Sequence, residues 1–222
     1  MIDLLKVDLH ARLRVMTNKK ARIIDDINAV RTSKKDLSLG KLNPGSLEKA
    51  ALVYLQRFSS SRENLRKVLM RRVWRAVNHD GGDKNQCQEW VDLVVEKMEL
   101  RGFVNDRLFA EGRMHSLLTR GKSLRGIRNH LHDRGISPDI IDDVLNLAEK
   151  DEGNLDFTAA INLAKRRGLG PFSKRAGGRR PREKDMAAMA RAGFSFEVAV
   201  RVIEAETPGD LALMGRDDDD YA

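Results

Sequence analysis

The stretch RGISPDIIDDVL, residues 134–145, returns later in the chain as AGFSFEVAVRVI, residues 192–203. Gly135 aligns with Gly193, Ile136 with Phe194 and Ser137 with Ser195. Ile140, Ile141, Val144 and Leu145 align with Val198, Ala199, Val202 and Ile203. A second pattern, Ser61-x3-Leu65-Arg66-x2-Leu69-x2-Arg72, is mirrored by Ser123-x3-Ile127-Arg128-x2-Leu131-x2-Arg134. Internal repetition at a period of roughly 50–60 residues constrains the fold more than any local propensity. A unit that short buries too little surface to stand alone, so neighbouring copies must complete one another.

Each copy reads as three helices. Leu47, Ala50, Ala51, Tyr54, Leu55 and Phe58 recur at helical spacing, as do Leu65, Val68, Leu69, Val73 and Val77, and then Trp90, Val91, Val94, Val95 and Met98 up to Gly102. Ser60 and Glu63 match a capping box. In the second copy, Asn105 or Asp106 caps a helix ending at Gly121, Ser123 caps the next, and Gly135 closes it on a left-handed backbone. Ser137-Pro138-Asp139 then opens a third. In the third copy Asp185 stands where Ile127 stands in the second, so the inward register is expected to shift to Met186. The expected fold is all-α, an elongated array of three tandem three-helix repeats. The expected divisions are an extension at 1–45, repeats at 46–102, 103–152 and 153–206, and an acidic flexible tail at 207–222. The third repeat contains a basic loop at 168–181.

The formal net charge is +8. Residues 165–184, KRRGLGPFSKRAGGRRPREK, hold nine Lys/Arg and one acid, so this one segment carries the whole excess. A concentrated basic stretch points to a local contact with a polyanion. With four Gly and two Pro between 168 and 181, the loop is expected to be a flexible arm that follows phosphates without sequence preference. Cys87 is the single cysteine, which excludes an internal disulfide and suits a reducing compartment. No segment has the roughly 18 apolar residues of a membrane span, and the N-terminus lacks a signal-peptide core. These features predict a cytoplasmic monomer without membrane contact.

Gly121-Lys122-Ser123 looks like the end of a phosphate-binding loop. The Gly that such a loop needs five residues earlier is Ser116, and no strand leads into it. The turn instead reads as a helix end followed by a capped helix start. His130 and His132, two apart on a helix, do not face one site. Cys87 has no partner at zinc-finger spacing, and no nucleophile motif is present. The expectation is no catalytic residue, no metal and no cofactor.

Residues 102–145 contain Gly102, Asn105-Asp106, Phe109-Ala110, Arg120-Gly121-Lys122, Ile127-Arg128, Leu131 and Arg134-Gly135-Ile136. This block resembles the central part of the RecX family of recombinase regulators. ALVYLQRFSSSRENLRKVLMRR resembles the family's first unit and MARAGFSFEVAVRVI its last, so the likeness spans about residues 46–206. The resemblance implies a helical array that lies in the groove of the RecA filament. It also implies restraint of ATP hydrolysis, strand exchange and co-protease activity. The insertion near 78–88, the basic loop and the N-terminal extension depart from the common pattern.

If the resemblance holds, filament contacts are expected at Arg62, Arg66, Arg71, Arg120, Lys122, Arg125, Arg128 and Arg134, because Arg binds carboxylates and phosphates bidentately. Weak, non-sequence-specific contacts to DNA phosphates are expected at Lys165, Arg166, Arg167, Lys174, Arg175, Arg179 and Arg180. Two other readings are a nucleic-acid-binding helical-repeat protein without a RecA target, and a structural adaptor. A helix-turn-helix reading of 123–145 fails because its second helix carries Asp139, Asp142 and Asp143, which repel phosphates.

Overall fold

The computed structural model describes residues 42–80, 83–173 and 181–211. The chain divides into Met1–Leu42 and Asn43–Ala222. Apart from Leu42, all described residues belong to the second part, to which everything below refers. Residues 1–41, residues 212–222 of the acidic tail, and Lys174, Arg175, Arg179 and Arg180 of the basic loop lie outside the described residues.

The described residues form nine α-helices and no strand. They are α1 (Pro44–Arg57), α2 (Arg62–Asp80), α3 (Lys84–Leu100), α4 (Asp106–Thr119), α5 (Leu124–Asp133), α6 (Pro138–Glu152), α7 (Leu155–Arg167), α8 (Arg182–Ala192) and α9 (Phe196–Ile203). Side-chain oxygens fix most helix starts: Asn43, Asp83, Asn105, Ser123, Ser137, Asn154 and Ser195 each accept a bond from a first-turn backbone N–H. Within each group of three, the third helix packs on the first two: α3 on α1 and α2, α6 on α4 and α5, α9 on α7 and α8. The result is an all-α array of three-helix repeats.

At α2 the cap is Ser61 rather than Ser60. Ser61 Oγ accepts from Asn64 N at 3.1 Å, while Ser60 Oγ accepts from the Asn64 amide at 2.8 Å. Gly135 has φ +76°, the left-handed backbone expected of it.

The second and third units share one apolar core. Leu117 and Leu118 of α4, Ile127 and Leu131 of α5 and Phe157, Ala160 and Leu163 of α7 belong to a cluster running from Ala110 to Leu211. The first unit buries Leu47, Leu65, Leu69, Val91 and Met98 in a core of its own, outside that cluster. Polar groups link it to the second unit.

Both joints are built to one plan. Between the first two units, fully buried Ser61 donates to the carbonyl of Arg134, at the end of α5. Asp106 Oδ1 accepts from Arg62 N at 2.8 Å. Between the second and third, fully buried Ser123 donates to the carbonyl of Ala192, at the end of α8, at 2.9 Å, and Asp156 Oδ1 accepts from Leu124 N at 2.7 Å. Each joint thus pairs a cap serine and a first helical N–H with an acid and a helix-end carbonyl of the following unit. Burial raises the carboxyls of Asp106 and Asp156 above the ordinary aspartate range, against the lowering effect of the backbone N–H each accepts. Pro181 occupies the serine position in the third unit and makes no side-chain cap. The first turn of α1 carries no acid.

The third unit corrects two expectations. Asp185 does occupy the inward position: it is buried, and its Oδ2 accepts from Gly170 N at 2.9 Å. The register does not shift to Met186, because this carboxylate has a backbone donor to hold. The start of the basic loop is correspondingly ordered. Leu169 is buried, Gly170–Phe172 forms a 3-10 turn, and Phe172 packs against the core.

Candidate cationic interface

The eight Arg and Lys residues expected to reach a partner fall into three situations. Arg66 and Arg128 brace their own units. Arg66 Nε bonds Asp92 at 2.6 Å, which raises its already high pKa, and Arg128 pairs with Asp142. The two bridges are equivalents, since Asp92 follows Val91 as Asp142 follows Ile141 in the matching helices. In the third unit Met186 and Val200 take these places. There an open groove of about 400 Å³ is lined by Met186, Ala187, Ala190, Phe194 and Phe196, the last 73% exposed.

Arg62 and Arg134 belong to the first joint. Arg62 pairs with Glu99 at 2.9 Å, and Arg134 donates to Asn64 Oδ1 at 3.2 Å. Arg62, Arg66, Glu63, Asp92 and Asp106 all line an open cleft of about 330 Å³ at this joint. The cleft is electrically mixed and does not favour an anion.

Arg71, Arg120, Lys122 and Arg125 are exposed and make no ion pair with any described residue. Three of them bracket the Gly121 turn. Arg120 ends α4. Lys122 lays its aliphatic stem over Gly126, and the Arg125 guanidinium approaches Gly193 of the third unit. The chain therefore crosses from α4 to α5 among exposed cations that form no ion pair with a described residue. The turn that mimics a phosphate loop is a joint between units: Ser123 spends its hydroxyl on Ala192 and on Gly126 N.

Sequence reasoning missed Arg113 and His130. Arg113 Nε donates to His130 Nε2 at 3.0 Å, which requires a neutral ring accepting at that nitrogen. Burial lowers the His130 pKa, and Arg113, Arg134 and Lys122 lower it further, against a smaller opposing effect of Asp133. These cations therefore converge on one side of the second unit. A signal was present in the i, i+4 spacing of His130 and Arg134; the Arg113 partner comes from another helix. A depressed histidine contributes stability that is present above its unfolded pKa, about 6.5, and lost as pH falls through its folded pKa. The stability difference between wild type and His130→Gln should thus narrow or reverse on acidification below about pH 6.5. The His130 ring resonances should titrate below that value by NMR, and a bound polyanion should move the midpoint up.

Lys165, Arg166 and Arg167 are exposed at the end of α7, where they also complement the helix dipole. No group of three or more His, Cys, Asp or Glu capable of holding a metal occurs among the described residues. No described helix is long and apolar enough to cross a membrane. Cys87 is buried, and that burial raises its thiol pKa, which disfavours the reactive thiolate.

The family model described as RecX, second three-helix domain, matches residues 105–145. The regulatory protein RecX of Myxococcus xanthus is 37% identical over 166 residues, covering 74% of this chain and 88% of that protein. Regulatory protein RecX of Agrobacterium fabrum is 28% identical over 158 residues, 71% and 82% of the two chains. The crystal structure of RecX from Lactobacillus salivarius superposes with a TM-score of 0.52 at 20% identity, over 77% of this chain and 97% of that one, a likeness of fold.

Proposed function

The chain belongs to the RecX family of regulatory proteins, and on that premise we propose that it binds the RecA–DNA filament along its helical groove and restrains ATP hydrolysis, strand exchange and co-protease activity. The observation that carries the reading is the set of exposed cations around the Gly121 turn, which make no ion pair among the described residues. A repeat array presents such groups to several subunits of a repetitive partner at once, and avidity follows without any single strong contact. Arg120, Lys122 and Arg125 take the protein contacts. Arg62, Arg66, Arg128 and Arg134 support them by fixing the units and their joint. Lys165, Arg166 and Arg167, with the basic segment that follows, take phosphates of the DNA in the filament.

The test is DNA-dependent ATP hydrolysis by the cognate RecA. Substoichiometric protein should lower the rate and slow strand exchange. Unchanged rates with folded protein in excess over RecA would overturn the reading. Salt-sensitive DNA binding without any effect on RecA would support instead a nucleic-acid-binding repeat protein that has no RecA target.

A further inference from the structure

The outward face of α2 combines a run of basic residues with an exposed tryptophan. From Asn64 to His79 the helix has five Lys/Arg and no acid. Leu65, Leu69, Val73 and Ala76 point inward and are buried. Helical spacing then places Lys67, Arg71, Trp74, Arg75 and Asn78 on the opposite face. Trp74 sits in the middle of them, 53% exposed. Its indole is covered only in part, by Lys84 Nζ at 4.5 Å from the ring centre. Arg75 Nε donates to the Arg71 carbonyl at 3.2 Å, which holds it beside Arg71. Lys84 lies at the start of α3, where the neighbouring acid, Asp83, is occupied in capping Asn85 and Gln86.

We propose that this face is a stacking site for single-stranded nucleic acid, with the Trp74 indole as the platform for one base and Arg71, Arg75 and Lys84 as contacts to the flanking phosphates. The inference deepens the reading of the protein as acting on a DNA-bearing filament, and adds a contact on the first unit, far in sequence from the basic segment. Base stacking on an aromatic ring is stronger than an exposed cation–π contact, so a base displaces Lys84 from the ring. The released ammonium is then free for a phosphate. A duplex cannot use the site, because its bases present no free face. An acidic peptide would engage the cations but has no use for a bare indole between them.

The experiment uses full-length protein labelled with 5-fluorotryptophan. Trp74 and Trp90 are its only tryptophans, and comparison with Trp74→Leu assigns the two 19F signals. Titration with oligo(dT) should shift the Trp74 signal, leave Trp90 in place, and quench tryptophan fluorescence. A duplex of equal length should do neither. Trp74→Leu should weaken oligo(dT) binding about tenfold with the salt dependence unchanged. Arg71→Ala with Arg75→Ala should instead flatten the slope of log affinity against log salt by about 1.4. The proposal is overturned if the Trp74 signal does not move while the oligonucleotide binds, or if the duplex shifts it equally. It is also overturned if Trp74→Leu binds DNA normally yet loses inhibition of RecA, which would make the face a protein contact. Failure here leaves inhibition of RecA by wild-type protein as a separate measurement, so the two readings fail independently.

Discussion

Gly121→Ala is expected to lower the melting temperature by roughly 10 °C. Two costs combine. Gly121 has φ +69°, a left-handed backbone that costs an L-residue about 1–2 kcal/mol. The new Cβ would also lie 2.5 Å from Leu163 N and 2.6 Å from Leu163 Cα. Those are backbone atoms of α7, inside the core shared by the second and third units, and they cannot step aside as a side-chain tip would. Overpacking of this kind adds about 1–3 kcal/mol, and each kcal/mol shifts melting by about 2–4 °C in a domain of this size. Gly102→Ala is the control. Its φ is +72°, but nothing lies within 4 Å of the added carbon, so only the backbone cost applies. Equal melting temperatures for the two variants would show that the approach of α4 to α7 is not tight.

The triple variant Arg120→Glu, Lys122→Glu, Arg125→Ala is expected to inhibit RecA at least about 100-fold less potently, with its melting temperature preserved. A few arginine anchors usually dominate such an interface, each worth about 2 kcal/mol or more on truncation, and tenfold corresponds to about 1.4 kcal/mol. Because these three make no intramolecular ion pair among the described residues, their loss should not disturb the fold. Arg125 is changed to Ala rather than Glu because its charge acts on Asp156, and an added carboxylate there would strain the second joint. Arg66→Glu and Arg128→Glu should behave differently, losing stability together with inhibition, since each breaks a bridge within its own unit. Undiminished inhibition by the triple variant would remove the Gly121 turn from the interface.

The helices and their repetition were legible because each unit announces its starts and stops locally: a capping Ser or Asn, a closing Gly, an apolar stripe between. Ser123 was legible as a cap for the same reason. Its bond to the carbonyl of Ala192 was not, because that partner lies in the next unit and no spacing rule links them. The roles of Arg66 and Arg128 were hidden by the same distance. Both look like exposed cations on their own helices, and only the packing of α3 on α2 and α6 on α5 brings Asp92 and Asp142 to them. Asp185 misled because a carboxylate at an apolar position reads as a slip of register until its backbone donor, Gly170, is seen.

The two-part joint makes the three units unequal as building material. The first carries the serine half, in Ser61, but Pro44 and Gly45 stand in the first turn of α1 where an acid would be needed. The third carries the acid half, in Asp156, but Pro181 replaces the serine. Only the second carries both, in Asp106 and Ser123. A gene duplication that copied the middle unit would therefore produce a four-unit chain whose three seams all match. Copying either outer unit would create a seam with one half missing. In this chain only the middle unit can be repeated without leaving a half-joint.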